Sequence, residues 1–167
     1  MQVLVAYASK HGSTAEIAQA IADELQTAHL EADVQHVADI DRLAAYDAVV
    51  LGSAVYVGRW LPEAVAFVEA HGATLADRPV WFFSSGPIGE PEPMPRGDPE
   101  GITEMSKKVG VREHRVLAGR IDRADLSLGE KMIVRVVRAP EGDFRDWPAV
   151  GAYAHQIAAE LGALQQT

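Results

Sequence analysis

The chain has 167 residues, 48% of them hydrophobic, with 24 acidic against 15 basic side chains, six histidines and no cysteine. That length suits one compact domain with a real core, and the missing cysteines exclude a disulfide framework, a thiol nucleophile, an iron–sulfur cluster and a cysteine-based zinc site. A net charge of −9 argues against nucleic-acid binding, because phosphate contacts need a positive field.

The chain opens Met-Gln-Val-Leu-Val-Ala-Tyr, with no basic segment ahead of a long apolar one. Its longest uncharged stretch of note, residues 48–58, falls far short of the roughly 18–20 apolar residues of a membrane span. A soluble, cytoplasmic domain spanning 1–167 is expected. Apolar runs rich in β-branched residues predict strands at 2–7, 47–52, 79–84 and 115–120, with a weaker alternating strand at 32–37. The four stronger runs are continuously apolar, as a sheet covered on both faces requires. Between them lie helical patterns: residues 14–28 with Ile17, Ile21 and Leu25 on one face, a second opened by Pro62, and a last one after Asp146-Trp147-Pro148. Strands alternating with helices imply right-handed crossovers and a parallel sheet. The stretch from Ser84 to Gly101 holds five Pro and four Gly, a composition typical of a functional loop.

Three strand ends carry candidate chemistry. After the first strand come Ser9-Lys10-His11-Gly12-Ser13-Thr14, then a helix whose start fits a capping box of Ser13 with Glu16. Glycine and hydroxyls around a helix N-terminus read either as a plain cap or as an anion cradle. The pattern is neither a nucleotide-hydrolysing loop nor Gly-x-Gly-x-x-Gly. After the third strand come Ser53-Ala54-Val55-Tyr56-Val57-Gly58, small enough for a planar ligand to approach, with Tyr56 the candidate stacking face. Trp60 either stacks there or packs under the following helix. After the fourth come Ser84-Ser85-Gly86-Pro87-Ile88-Gly89. In open α/β sheets such ends converge on one ligand-binding crevice.

The Ser9–Thr14 loop resembles the phosphate loop of the flavodoxins, and together with the other two loops the whole chain is similar to that family. It resembles further the quinone-dependent protoporphyrinogen oxidases built on the same fold, through Glu16-Ile17-Ala18 after the first loop and Asp146-Trp147 before the last helix. The resemblance implies an α/β, flavodoxin-like three-layer sandwich with a five-stranded parallel sheet of order 2-1-3-4-5. It implies FMN as cofactor, its phosphate at Ser9, Lys10, His11, Gly12, Ser13 and Thr14, and its ring between 53–58 and 84–89. The activity implied is an FMN-dependent oxidoreductase passing electrons from a reduced substrate, a tetrapyrrole, to a quinone. Two other readings stay open: a flavodoxin-type electron-transfer protein docking a redox partner, and a flavodoxin-fold binding module without cofactor. The chain departs from the family at His11, where many flavodoxins have Thr, and in lacking an aromatic residue in the Pro-rich stretch that would cover the ring.

An insertion occupies residues 121–146. Residues 107–138 carry a net +5 while the remaining chain carries −14. Lys131, Arg135 and Arg138 at i, i+4, i+7, opposite Met132, Ile133, Val136 and Val137, form a basic amphipathic pattern. It suits an anionic membrane surface, an acidic partner or substrate carboxylates, placing the protein against the inner face of the membrane through 128–138. An ordinary surface helix packed on the core, or an alternating strand, fits the same residues. The histidines at 29, 36, 71, 114 and 155 show no metal-ligand spacing, and no metal site or Ser-His-Asp order is read. Catalytic side chains are not assigned.

Overall fold

The continuously apolar runs fold as the inner strands of a sheet covered on both faces. The computed structural model describes residues 1–86, 97–122, 124, 126–136 and 141–166. In chain order, β1 (Gln2–Ala8), α1 (Ser13–Thr27) and β2 (Glu31–His36) are followed by two short 3-10 turns at Val37–Asp39 and Leu43–Ala45. Then come β3 (Ala48–Tyr56), β4 (Arg59–Trp60), α2 (Pro62–Ala76) and β5 (Val80–Gly86). The second half holds α3 (Ile102–Val109), β6 (Glu113–Ala118), β7 (Arg120–Ile121), α4 (Leu128–Val136), β8 (Gly142–Asp143) and α5 (Trp147–Leu164).

The main path of the sheet is β2-β1-β3-β5-β6, all pairs parallel. This is the expected 2-1-3-4-5 order, with β4 added as a short antiparallel hairpin on β3. Alternate strand residues point to opposite faces. Val3, Val5, Val50, Trp81 and Phe83 face α1 and α5, whose Ile17, Ile21, Leu25, Tyr153, Ile157 and Leu161 complete one buried cluster. Leu4, Val49, Leu51, Val80 and Phe82 face α2 and α3, with Phe67, Val68, Leu75, Ile102 and Val109. The Tyr153 hydroxyl donates to the Phe82 carbonyl at 2.8 Å, so α5 is tied to the sheet as well as packed on it.

Gly52 is required by a close approach. It lies in register with Phe83 of β5, and a Cβ there would stand 2.0 Å from the Phe83 ring. Helices open where signalled: Pro62 is the first residue of α2, and the Asp146 carboxylate accepts the Ala149 N–H at 3.0 Å as the cap of α5.

Three features differ from expectation. Strands β3 and β5 run four and two residues further than 47–52 and 79–84, because Ser53 and Ala54 continue the parallel pairing opposite Ser84 and Ser85. Helix α3 was not expected; its buried positions are just Ile102 and Val109, and Gly101 and Gly110 at either end both have positive φ. The capping box at Ser13 does not form. Gly12 is the cap residue, at φ +82, so Ser13 stands one position too far into the helix; its hydroxyl accepts the Arg120 N–H, and Glu16 pairs with Arg145 instead. Among the described residues no helix is long and apolar enough to cross a membrane.

Candidate functional site

The register places three strand ends side by side at the carboxyl edge of the sheet: Ala8 opposite Ser53, Ser53 opposite Ser84, Ala54 opposite Ser85. The loop from Ser9 to Gly12 turns on Gly12, whose N–H donates to Ser9 Oγ at 3.1 Å. The first intrahelical bond of α1 runs from the Glu16 N–H to the Gly12 carbonyl. The N–H groups of Ser13, Thr14 and Ala15 therefore precede the helical ladder and point out of its N-terminus. A Cβ at Gly12 would meet nothing within 4 Å, so the turn is open on that side. Backbone donors and the positive end of the helix dipole converge there, the arrangement that holds a phosphate.

Lys10 and His11 project from the same loop toward α4. Lys10 Nζ and His11 Nε2 each stand 3.3 Å from Glu130 Oε1 on α4. Glu130 is held well below the usual carboxylate range, at about 2, first by the Ser127 backbone N–H and hydroxyl and then by His11 and Lys10. Lys10 Nζ also lies 5.0 Å from the centroid of the Tyr56 ring, and the His11 ring is tilted against the same ring at 6.4 Å. Burial, followed by the field of Glu130, pushes the Tyr56 phenol up to about 12, so it stays a neutral donor at physiological pH. Tyr56 is thus gathered against the Ser9–Gly12 loop, one aromatic wall shared by two loops.

The second loop is a two-residue turn, Val57 and Gly58, between the paired strands β3 and β4. The Ser53 hydroxyl does not face the crevice: it donates to the Ala54 carbonyl at 2.9 Å and accepts the Leu61 N–H at 3.0 Å, fixing the start of α2. Ala54, Val55 and Tyr56 are half-buried at the crevice edge, and Val57 and Gly58 are exposed. In the third loop Ser85 is buried and Gly86 half-buried, with the Gly86 carbonyl accepting the Gly119 N–H at 2.7 Å. Pro87, Ile88 and Gly89 lie outside the described residues.

Ser84 turns inward to a partner that sequence reasoning set aside as an ordinary histidine. The Trp60 indole N–H donates to Ser84 Oγ at 2.7 Å, Ser84 lies 2.8 Å from His114 Nε2, and His114 Nδ1 lies 3.1 Å from Asp98 Oδ1. Asp98 as a carboxylate can accept alone, which puts the imidazole proton on Nδ1 and leaves Nε2 to accept the Ser84 hydroxyl. Burial pulls the His114 pKa below its ordinary value, and Asp98 offsets this in part. Ser84 is fully buried, so the relay ties the β4 hairpin, β5 and β6 together and is no nucleophile. Trp60 is likewise packed on Phe82 at 4.9 Å, under the sheet edge, not stacked in the crevice.

Glu130 was the second residue missed, and here a sequence signal existed. Ser127-x-x-Glu130 is a capping box: Glu130 Oε2 accepts the Ser127 N–H at 2.9 Å while Ser127 Oγ accepts the Glu130 N–H at 3.3 Å. Helix α4 forms within the stretch of the basic amphipathic pattern, but Met132 does not lie opposite the basic residues as that pattern has it. It is not packed on the core by Leu128 and Met132, which are 84% and 65% exposed; Lys131 and Arg135 share that outward side. Val137 and Arg138 lie outside the described residues. No cluster of three or more metal-ligating side chains occurs among the described residues.

Comparison with known proteins agrees with the fold. The protoporphyrinogen IX dehydrogenase (quinone) of Escherichia coli K12 is 25% identical over 175 residues, spanning 95% of each chain. The Streptococcus pneumoniae TIGR4 flavodoxin superposes with a TM-score of 0.60 at 18% identity, covering 96% of this chain and 99% of that one. The rubredoxin oxygen:oxidoreductase of Desulfovibrio gigas gives a TM-score of 0.68 at 14% identity over 97% of this chain, which spans 36% of that protein's length. The family model described as Flavodoxin domain matches residues 4–147, and the chain belongs to that family.

Proposed function

We propose that the protein is an FMN-dependent oxidoreductase that takes electrons from a reduced, tetrapyrrole-like substrate and delivers them to a quinone. The observation that carries the reading is the N-terminus of α1 behind Gly12, whose free backbone donors stand at the carboxyl edge of the sheet beside the ends of β3 and β5. The residues present fit a flavin mononucleotide: the N–H groups of Ser13 and Thr14 with the Ser9 turn for its phosphate, and residues 54–58 with Ser85 and Gly86 for the edge of its ring. FMN, when bound, supplies the two-electron redox chemistry. The chain's own contribution is to bind, orient and exclude water. The backbone of 54–58 and 85–86 offers hydrogen-bonding groups along the crevice, and Tyr56, neutral and half-buried, closes it against the phosphate loop. Nothing in the described part of the crevice covers the ring with a second aromatic residue, which suits a substrate reaching the flavin.

The outward side of α4 favours an enzyme over a freely diffusing shuttle. Exposed Leu128 and Met132 beside exposed Lys131 and Arg135 match an anionic, apolar boundary such as the membrane surface where quinones reside.

The test is an absorption and fluorescence titration of the purified chain with FMN, followed by anaerobic turnover of a reduced porphyrin with a soluble quinone. Stoichiometric FMN binding and quinone-dependent oxidation are expected. Gly12→Val should abolish FMN retention, because a β-branched residue is strained at φ +82 and the turn that aims the backbone donors would be lost. A folded Gly12→Val protein that binds FMN as well as the parent would refute the cradle assignment.

A further inference from the structure

Glu130 stands where the insertion meets the phosphate loop, and it does two things at once. One carboxylate oxygen closes the capping box with Ser127, so the side chain is locked to the first turn of α4. The other accepts from Lys10 Nζ and His11 Nε2 at 3.3 Å each. Lys10 and His11 are consecutive residues of the loop whose following N–H groups form the anion cradle. Both side chains are therefore engaged by a carboxylate belonging to the chain itself, half-buried against the loop at 15% exposure.

On the FMN reading, we propose that Glu130 is a specificity-determining residue that sets how strongly the site favours a phosphate-bearing flavin. Its charge lowers the affinity for the phosphate by competing for Lys10 and His11 and by like-charge repulsion. The coupling is reciprocal: whatever factor Glu130 removes from phosphate affinity, a bound phosphate removes from the docking of α4. Cofactor loading thus loosens the insertion helix from the loop. A flavin without phosphate does neither, because it carries no dianion to compete with Glu130 for Lys10 or to be repelled by it.

The experiment compares FMN with riboflavin on the full chain, in the parent and in Glu130→Gln. Glutamine can keep the capping box, since either residue serves at that position, and it removes both the charge and the acceptor that faces Lys10 and His11. Glu130→Gln should bind FMN about five- to tenfold tighter, the size expected for a carboxylate several ångströms from a phosphate dianion in a solvated setting, with riboflavin affinity unchanged. A second measurement needs no variant: in the parent, FMN should speed amide hydrogen exchange across residues 128–136 and riboflavin should not. FMN affinity that is unchanged or weaker in Glu130→Gln would overturn the proposal, as would equal tightening toward both flavins, which would mark a steric closure. Unaltered exchange in α4 on FMN binding would overturn it too. A parent chain that binds neither flavin would refute the cofactor reading and this inference together, whereas flavin binding without an FMN-specific gain would refute the inference alone.

Discussion

Val57 should be more useful to the fold as asparagine. The turn joining β3 to β4 has two central residues, Val57 at φ 49 and Gly58 at φ 72, and it links strands paired Val55 to Trp60 and Tyr56 to Arg59. A two-residue hairpin of this hand needs positive φ at both positions, and Asn-Gly is its preferred sequence. Glycine meets the requirement at 58. Valine does not, and a β-branched residue in the left-handed region costs about 1–2 kcal/mol. No packing repays this, because the Val57 side chain is 75% exposed. Val57→Asn should recover about 1 kcal/mol, a Tm rise of about 2–4 °C for a domain of this size. Val57→Gly should recover less, since glycine also frees the unfolded chain by about 0.4–1 kcal/mol. Thermal melts and urea titrations at equal slope give the order Asn, Gly, Val. A parent at least as stable as Val57→Asn would show that the turn is not strained.

Two further outcomes are open to measurement. Burial holds His114 below the ordinary imidazole value of 6.5, so the unfolded chain takes up that proton first and stability should fall as pH drops from about 6.5 toward the folded value. The Glu130 carboxylate, shifted from 4.5 to about 2, loses its contribution in a lower window, as pH falls below about 4.5. Denaturant midpoints between pH 7.5 and 5.5 should therefore decline in the parent and flatten in His114→Gln; an identical slope in both would remove His114 from the account. Gly52→Ala should cost about 2–3 kcal/mol by overpacking against the buried Phe83 ring, read by urea unfolding, and Phe83→Leu should restore part of it. A silent Gly52→Ala would mean that the ring moves aside freely.

The sheet and three of its helices were legible because each carries a redundant signal. The β1 and β3 runs are apolar and β-branched, and α2 and α5 have a proline within their first two residues, with Asp146 capping the latter. What was not legible depended on a few atoms. Helix α3 buries two side chains among charged ones, too little for a periodic pattern. Strands β4, β7 and β8 have two residues each and exist by virtue of a neighbour. The flavodoxin-like loop was recognisable, yet its cap was misread by one position, since a glycine at positive φ takes the cap role without any side chain. Ser53 and Ser84 look like ligand groups at a strand end, and the structure spends both on internal hydrogen bonds. Residue type alone cannot tell these uses apart. The partners of His114 lie 16 and 30 positions away, a separation at which no sequence pattern operates.

The notch at Gly52 has a meaning for how the strands find their alignment. In a sheet with one wet face, slipping a strand by one residue exposes its core side chains and is penalised at once. Here both faces are buried, and a one-residue slip of β5 against β3 would merely exchange one apolar cluster for the other. Hydrophobicity gives little discrimination between the two alignments, so shape has to supply it. The Phe83 ring needs a neighbour without Cβ, which β3 offers at residue 52, and a slip would set that ring against Leu51 or Ser53. A single absent methyl thus acts as the alignment key of the two central strands, and with them of the strand ends on which the crevice is built.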